Sequence, residues 1–206
     1  MRTGGSGEGT ERSAWIVSRH RALVLVLTGE GMDAAVAWRV ATAVLAQWGL
    51  ETGWGRSEWN YDLGNIRALG WWGLFHILTD GYDYRAYRSL DEGVRAQLSL
   101  LRAQRYAAAW QRLVAGGSAD AWYSDLMHAG WNPWSEATLQ TYRGCYTRVA
   151  NTVGGVPADI GAYLGGEVSV AGWLLGAAAL IAVGVGTAAV VRHCHAVKAH
   201  VRRLLA

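Results

Sequence analysis

The sequence is short of cysteine and of clustered basic residues. Its 206 residues include two cysteines, Cys145 and Cys194, which lie on opposite sides of a long apolar segment. We therefore expect no disulfide framework. No cluster of Lys and Arg is interleaved with aromatic residues, which argues against nucleic acid as a partner. The chain also lacks a glycine-rich phosphate loop and a nucleophile elbow, two motifs typical of nucleotide-binding proteins and of serine hydrolases.

The composition is that of a chain able to bury a core. Hydrophobic residues make up 51% of the sequence, 12 residues are tryptophan, and the formal net charge is +3. A hydrophobic share near one half is normal for a globular domain. We expect most tryptophans in the core or at a membrane interface, and the others on the faces of bound sugars. The mild positive charge suits an anionic surface, either cell wall or phospholipid.

Residues 168–191 contain no charged side chain. Because about 20 apolar residues span a bilayer, they predict one transmembrane helix with the lipid bilayer as its partner. The alternative is a buried helix of a globular fold. Gly172 and Gly176 are spaced to let two such helices approach closely, which predicts self-association unless the pair only reflects an Ala- and Gly-rich composition. The Gly-rich residues 153–167 favour a linker to a tethered anchor.

The residues on either side of this span predict its orientation. Residues 192–206 are basic, whereas Asp159 and Glu167 precede the span. The positive-inside rule therefore predicts a single-pass membrane protein with a cytoplasmic tail and a domain on the cell-wall side. Residues 1–13 are rich in Gly, Ser, Thr and Glu and lack the layout of a signal peptide, so we expect a flexible tail there. Delivery in a virion membrane is one hypothesis for how the domain reaches the wall.

The basic tail contains His and Cys residues that could suggest metal binding, in Arg192-His193-Cys194-His195 together with His200. Their number and spacing fit no zinc pattern, and contact of the tail with phospholipid headgroups is the preferred interpretation. We therefore expect neither a metal nor another cofactor.

Residues 14–152 predict one mainly α-helical domain with a small β-hairpin. Asp33 is expected to cap a helix that ends at Gly53. Ser89 and Glu92 form a capping box that opens a second helix. The Gly, Ser and aromatic patterns place the other boundaries: an end of the second helix at Gly116-Gly117, helices over 119–129 and 135–151, and hairpin strands within 71–78 and 82–87 around Thr79-Asp80-Gly81.

Glu51 is the strongest candidate for chemistry. It lies near the end of the first of these helices, before a turn rich in Gly and Trp. The helix macrodipole disfavours negative charge at that end, and Trp48 and Trp54 are placed to shield the carboxyl from water, which favours its protonated form. Cleavage of a glycosidic bond needs such an acid beside the leaving oxygen. The alternative is an ordinary surface Glu at a helix end.

The residues around Glu51 also form two consecutive motifs. They read Glu51-Thr52-Gly53-Trp54-Gly55-Arg56-Ser57 and then Asn60-Tyr61-Asp62-Leu63-Gly64-Asn65-Ile66. This stretch resembles the signature of the cell-wall N-acetylglucosaminidases of glycoside hydrolase family 73, part of the lysozyme-like superfamily. Blocks at 84–93 and 126–131 extend the resemblance in family order. It implies a small lysozyme-like helical fold, the glycan strands of peptidoglycan as substrate, and Glu51 as the general acid.

The chain departs from this family at the second carboxylate and at a late tyrosine. In the hairpin, Asp80 is the best match for a second catalytic carboxylate and Asp83 the next best, although Asp-Gly is also plain turn chemistry. The family's late Gly-Tyr is Gly130-Trp131 here. Tyr142 or Tyr123 is then the candidate to supply the missing hydroxyl.

Three residues of the Glu51 stretch are candidates for substrate contact. Trp54, Tyr61 and Asn65 suit sugar faces and amides, and each is equally suited to holding the loop together. Arg56 is expected to pair with a nearby acid such as Asp62 rather than to touch substrate.

These observations predict a membrane-anchored enzyme that cleaves the β-1,4 bonds of peptidoglycan, as an N-acetylglucosaminidase or a muramidase. A second carboxylate that activates water would make it a hydrolase. Glu51 acting alone as acid and then base would make it a lytic transglycosylase. One alternative is a catalytically degenerate module that binds glycan as a structural component of a virion or envelope. Another is a membrane-perturbing protein whose active part is the span.

Overall fold

The computed structural model describes residues 9–58, 60–66, 75–77 and 83–164 of the chain, and this part is mainly helical, as predicted. The chain divides into two compact units, residues 1–160 and 161–206, and the packing described below lies within the first. The described elements in chain order are α1 (Gly9–Gly29), α2 (Ala34–Thr52), β1 (Phe75–Ile77), β2 (Asp83–Arg85), α3 (Leu90–Arg102), a 3₁₀ turn (Gln104–Tyr106), α4 (Ala107–Val114), α5 (Ala119–His128), α6 (Glu136–Val153) and α7 (Ile160–Tyr163).

Helix α2 forms the core of the first unit. Every residue from 40 to 49 is buried, and the helix packs against α1, α4, α5 and α6. A helix that is buried on all faces needs apolar residues all round, and this one is built largely of Ala, Val, Leu and Trp. It begins as predicted at Asp33, whose side chain accepts hydrogen bonds from the backbone N–H groups of Ala35 and Val36 at 2.9 and 3.1 Å. It ends as predicted at Gly53, which is left-handed with φ +56°.

Helix α1 covers one side of α2. Trp15, Ile16, Leu23 and Leu27 are buried, and α1 packs on α2, α3 and α6. The helix begins at Gly9 and so includes residues 9–13, which were predicted as flexible tail. That boundary is wrong because α1 extends nearly two turns beyond its first buried residue towards the amino end. The acidic Glu11 in the first turn interacts favourably with the helix dipole there. Residues 1–8 lie outside the described part.

The capping box at Ser89 opens α3 as predicted. The Ser89 hydroxyl accepts from the Glu92 N–H at 3.2 Å, and the Glu92 carboxylate accepts from the Arg88 N–H at 2.8 Å. The predicted single helix up to Gly116-Gly117 is wrong, because the backbone is extended at Ala103 and the chain continues through the 3₁₀ turn into α4. The break turns Tyr106 into the interior, where 6% of its surface is exposed. The next two helices, α5 and α6, end within two residues of their predicted bounds.

The predicted hairpin strands are present, and among the described residues they cover Phe75–Ile77 and Asp83–Arg85. β1 and β2 pair antiparallel, with Phe75 opposite Arg85 and Ile77 opposite Asp83. The predicted turn, Thr79-Asp80-Gly81, lies outside the described residues. At the other end of the domain, the last residue of α6 and all of α7 fall inside 153–167, which were predicted as linker, so this segment is partly helical.

Among the described residues, no helix is both long and apolar enough to cross a bilayer. The predicted span 168–191 and the basic tail 192–206 lie outside them, as do Gly172 and Gly176.

Gly49 provides a test of how the Glu51 end of α2 is packed. A Cβ atom on Gly49 would collide with the ring of Trp54, whereas one on Gly144, in the interior of α6, would meet nothing within 4 Å. We expect Gly49→Ala to lower the free energy of unfolding by about 1–3 kcal/mol because the ring cannot move without disturbing the core. The matched Gly144→Ala should raise it by about 0.5–1 kcal/mol through helix propensity. Denaturant unfolding of both variants measures this, and equal effects would contradict the packing described.

Candidate active site

Glu51 lies in the last turn of α2 and is half-buried. Its Oε1 accepts three hydrogen bonds: from Trp131 Nε1 at 3.1 Å, from Asn132 Nδ2 at 2.9 Å and from the Tyr142 hydroxyl at 3.1 Å. All three donors are more than 70 residues away in sequence. This carboxylate oxygen therefore ties α2 to α6 and to the segment that joins α5 and α6.

The three donors are themselves held in place. Asn132 Nδ2 also donates to the Tyr142 hydroxyl at 2.9 Å. The ring of Tyr142 stacks on Tyr123 at 4.8 Å with an interplanar angle of 11°, and the Tyr123 hydroxyl donates to the carbonyl of Ala43 at 3.0 Å. Burial first, and the charge of Glu51 second, raise the pKa of Tyr142 well above its ordinary value. Its hydroxyl consequently stays protonated and remains a donor at physiological pH.

The other carboxylate oxygen of Glu51, Oε2, accepts no hydrogen bond from the described residues. Because three donors already point at Oε1, a proton bound to the carboxyl group sits on Oε2. Glu51 lines a cavity of about 910 Å³. The other described residues of its lining are Gly64, Asn65, Ile66, Tyr84, Arg85, Leu100, Arg105, Tyr106, Gly130, Trp131 and Asn132. Oε2 is thus the oxygen available to a molecule bound in the cavity.

The loop after Glu51 has an unusual backbone. Trp54, Asn60, Tyr61 and Asn65 are all left-handed, with φ between +48° and +62°. Asn tolerates this conformation, whereas for Trp and Tyr it costs on the order of 1–2 kcal/mol each. Such strain persists only where surrounding contacts enforce it, and it concentrates at functional sites.

A buried ion pair anchors this loop to α1. Glu58 is fully buried and accepts from Trp15 Nε1 at 2.6 Å and from the Arg19 guanidinium at 2.6 Å. Two backbone bonds tie the same loop to the hairpin region, from Arg85 N to Ile66 O and from Tyr87 N to Asn60 O, both 2.8 Å. These contacts hold the strained backbone in position.

Of the three predicted substrate contacts, Asn65 lines the cavity. Its Nδ2 donates to the backbone carbonyl of Glu51 at 2.7 Å, which satisfies an acceptor at the end of α2. The ring of Trp54 instead lies against Gly49, with Trp15 perpendicular to it at 6.2 Å and the Arg148 guanidinium 5.5 Å from its centroid. Trp54 therefore has a packing role.

Tyr61 also lies outside the lining of this cavity. A Cβ atom on Gly93 would collide with the backbone carbonyl oxygen of Tyr61. The loop therefore packs directly on the first turn of α3. Substrate contact by Trp54 and Tyr61 stays a prediction.

Among the described residues, no second carboxylate lines the cavity. Asp80 lies outside them, and Asp83 is exposed on β2 and does not line the cavity. Arg56 and Asp62 are both described, and they do not form the expected ion pair. Arg56 is exposed and lies over Gly53, whereas Asp62 is buried and its Oδ1 accepts from the Ile66 N–H at 3.0 Å.

Sequence reasoning named some of these side chains and missed others. Tyr142 was one of two candidates for the missing hydroxyl, and the other, Tyr123, serves as its stacking partner. Asn132 was missed, although it directly follows the Gly130-Trp131 pair. Arg105 carries no local signal, because only the break between α3 and α4 directs it towards the cavity.

In addition to Glu58, the loop contains a second buried carboxyl, Asp62. Burial raises its pKa to about 7, opposed by the backbone N–H groups of Ile66 and Gly64 and by the charge of Arg85. Its Oδ2 is buried and accepts no hydrogen bond in the described part of the chain. Ionisation of Asp62 therefore places a charge where one oxygen has no donor.

Comparison with known proteins identifies no relative. No protein-family model, curated protein or solved structure matches the chain.

Replacement of Asp62 tests the cost of its charge. Because its pKa is raised in the folded state, the folded protein binds the extra proton, and the free energy of unfolding should fall as pH rises from about 4 to about 7. Asp62→Asn keeps the Oδ1 acceptor and cannot ionise. Between pH 5 and pH 8 we expect the wild type to lose about 1–3 kcal/mol relative to the variant, at about 1.4 kcal/mol per pKa unit.

Urea unfolding at the two pH values measures this difference. Asp83→Asn, which changes an exposed carboxyl, should follow the wild type. A wild type and an Asp62→Asn protein with the same pH dependence would contradict the assignment.

Proposed function

We propose that this domain cleaves the β-1,4 glycosidic bonds of peptidoglycan glycan strands with Glu51 as the general acid. One observation carries the proposal: Oε1 of Glu51 is occupied by three donors, whereas Oε2 accepts none from the described residues and belongs to a carboxyl that lines a cavity. An acid arranged in this way holds its transferable proton on the accessible oxygen. General acid catalysis requires that proton within hydrogen-bond reach of the leaving group.

The same donors support the second half of the proton transfer. Once Oε2 has given its proton to the leaving glycosidic oxygen, Glu51 carries a negative charge. Trp131, Asn132 and Tyr142 already point hydrogen-bond donors at that carboxylate, so the charge is stabilised without reorganisation.

The cavity walls suit a sugar. A volume of about 910 Å³ falls within the roughly 300–1,000 Å³ typical of ligand pockets. Tyr106 and Trp131 supply aromatic surface, and Asn65 and Asn132 supply amide groups. Aromatic faces match the C–H faces of pyranose rings, and amides match the acetamido groups of the glycan.

Two outcomes of the reaction follow from the fate of the glycosyl group. With a second carboxylate to activate water, for which Asp80 is the sequence candidate, the product carries a reducing end. With Glu51 acting as acid and then as base, an intramolecular attack gives an anhydro end. Mass spectrometry of digested peptidoglycan distinguishes these products because they differ by one water.

The proposed setting is the cell-wall side of a membrane. It rests on the charge-free residues 168–191 and the basic residues after them. Transport in a virion membrane is part of the same proposal.

Glu51→Gln tests the role of the acid. Release of glycan fragments from purified sacculi should fall by roughly 10²–10⁴-fold, the usual contribution of a general acid. Glu136→Gln is the matched control, since Glu136 is exposed in the first turn of α6 and lies outside the cavity. Full activity of the Glu51 variant would overturn the proposal. Wild-type protein that binds sacculi and releases no fragments would favour the glycan-binding alternative.

Tyr142→Phe tests the hydrogen bonds to Oε1. The variant loses one of three donors to Glu51 and keeps the stacking on Tyr123. We expect kcat to fall roughly 10- to 100-fold with a smaller change in KM, because a hydrogen bond to a charged group contributes about 1.5–3 kcal/mol. Tyr146→Phe, one turn further along α6, should leave both constants unchanged. A loss confined to KM would argue against a role in supporting the carboxylate.

A further inference from the structure

Two arginines line the cavity that contains Glu51. Arg85 comes from β2 and Arg105 from the 3₁₀ turn, and Glu51 is the one acidic residue among the described lining. Arg85 is engaged within the protein, where it lies near the carboxyl of Asp62 and the hydroxyl of Tyr87. Arg105 is the cation that faces the cavity without such a partner.

Arg105 differs from the arginines around it. Arg95 pairs with Asp91, Arg102 pairs with Glu30 at 2.6 Å, and Arg112 pairs with Asp125 at 3.2 Å. No described carboxylate lies within ion-pair distance of Arg105, and its side chain is exposed. The arginines of α3 and α4 are thus neutralised by neighbouring carboxylates, whereas Arg105 is not.

Aromatic contacts hold Arg105 along the wall that leads to Glu51. Its guanidinium carbon lies 4.9 Å from the centroid of Tyr106, and Nη1 would be 3.2 Å from a Cβ on Gly130. Tyr106 in turn meets Trp131 edge to face at 5.2 Å, and Trp131 donates to Glu51. The cation and the acid therefore belong to one continuous wall of the cavity. A group bound beside Glu51 meets the guanidinium further along that wall.

We propose that Arg105 binds a carboxylate carried by the glycan strand and so selects anionic peptidoglycan over neutral glycans of the same backbone. This inference rests on the proposed function. A guanidinium presents paired N–H donors that match a carboxylate, and stacking on Tyr106 limits the rotamers it must give up on binding. Peptidoglycan offers two sources of this group: the carboxylates of the stem peptides and, on strands from which the stem peptide has been removed, the lactyl carboxylate of muramic acid. Chitin-type oligosaccharides offer neither.

Arg105→Gln on the full-length chain tests the assignment. For sacculi we expect kcat/KM to fall roughly three- to tenfold, mostly through KM, and the loss to shrink as salt is raised, since the ion pair is solvent-exposed. Cleavage of chitooligosaccharides should be unchanged. Arg105→Lys keeps the charge and should recover part of the loss. Arg112→Gln, an exposed arginine outside the cavity, should behave as wild type on both substrates.

Modified sacculi provide the same test from the substrate side and need no folded variant. Amidation of the stem-peptide carboxylates and enzymatic removal of the stem peptides, which leaves the lactyl carboxylate, distinguish the two sources. Equal loss of Arg105→Gln activity on sacculi and on chitooligosaccharides, or no loss on either, overturns the inference. So does wild-type activity that is the same on intact, amidated and peptide-free sacculi.

Failure of the proposed function gives a different result. If the wild type releases no fragments from any substrate, the proposed cleavage is wrong, while cosedimentation with sacculi still tests Arg105. In that measurement Glu51→Gln should bind more tightly than the Glu51→Gln and Arg105→Gln double variant by the same three- to tenfold factor. Equal binding of the two would refute the role of Arg105 independently of catalysis.

Discussion

The complete burial of α2 from residue 40 to residue 49 constrains everything attached to its carboxyl end. With no exposed face over that stretch, the helix cannot shift or rotate without opening contacts to α1 and α6. Glu51 follows within one turn, so its backbone position is set by the core rather than by the surface loop that comes next. The left-handed Gly53 then turns the chain away, and Asn65 returns to satisfy the carbonyl of Glu51. The acid is thereby fixed from both sides of the turn.

Hydrogen bonding then makes the two oxygens of that carboxyl unequal. Trp131, Asn132 and Tyr142 come from a segment remote in sequence and converge on Oε1. Each donor is held by its own contacts, as in the stacking of Tyr142 on Tyr123. The three hydrogen bonds therefore also fix the position of the Glu51 side chain. The two oxygens consequently differ in where a proton can be held. A proton on Glu51 belongs on Oε2, and a negative charge on the carboxyl group is shared with three donors that need not move.

Local signals in the sequence predicted local structure well. The caps at Asp33, Gly53 and Ser89 depend on residues within one turn, and each is where the pattern indicates. The break at Ala103 was missed because no Gly or Pro marks it, and because the burial of Tyr106 that accompanies it depends on tertiary packing. The site divides in the same way. Glu51 was singled out from its own neighbours, whereas Asn132 and Arg105 reach the same cavity only because remote segments meet, which no short pattern in the sequence encodes.

Only part of the motif after Glu51 lines the cavity. Trp54 and Tyr61 belong to the motif, yet both have strained backbones, and their described contacts are with the core and with α3. The aromatic and charged groups of the cavity come mainly from the 3₁₀ turn and from residues 130–132. The motif thus supports the backbone of Glu51 and supplies Gly64, Asn65 and Ile66 to the lining of the cavity. Segments remote in sequence supply most of its aromatic and charged groups. No described hydrogen bond joins Arg105 to Trp131, Asn132 or Tyr142, so we expect that its replacement changes the wall and leaves Glu51 in place. Under the proposed function, specificity therefore depends on wall residues such as Arg105, which lie outside the motif that follows Glu51.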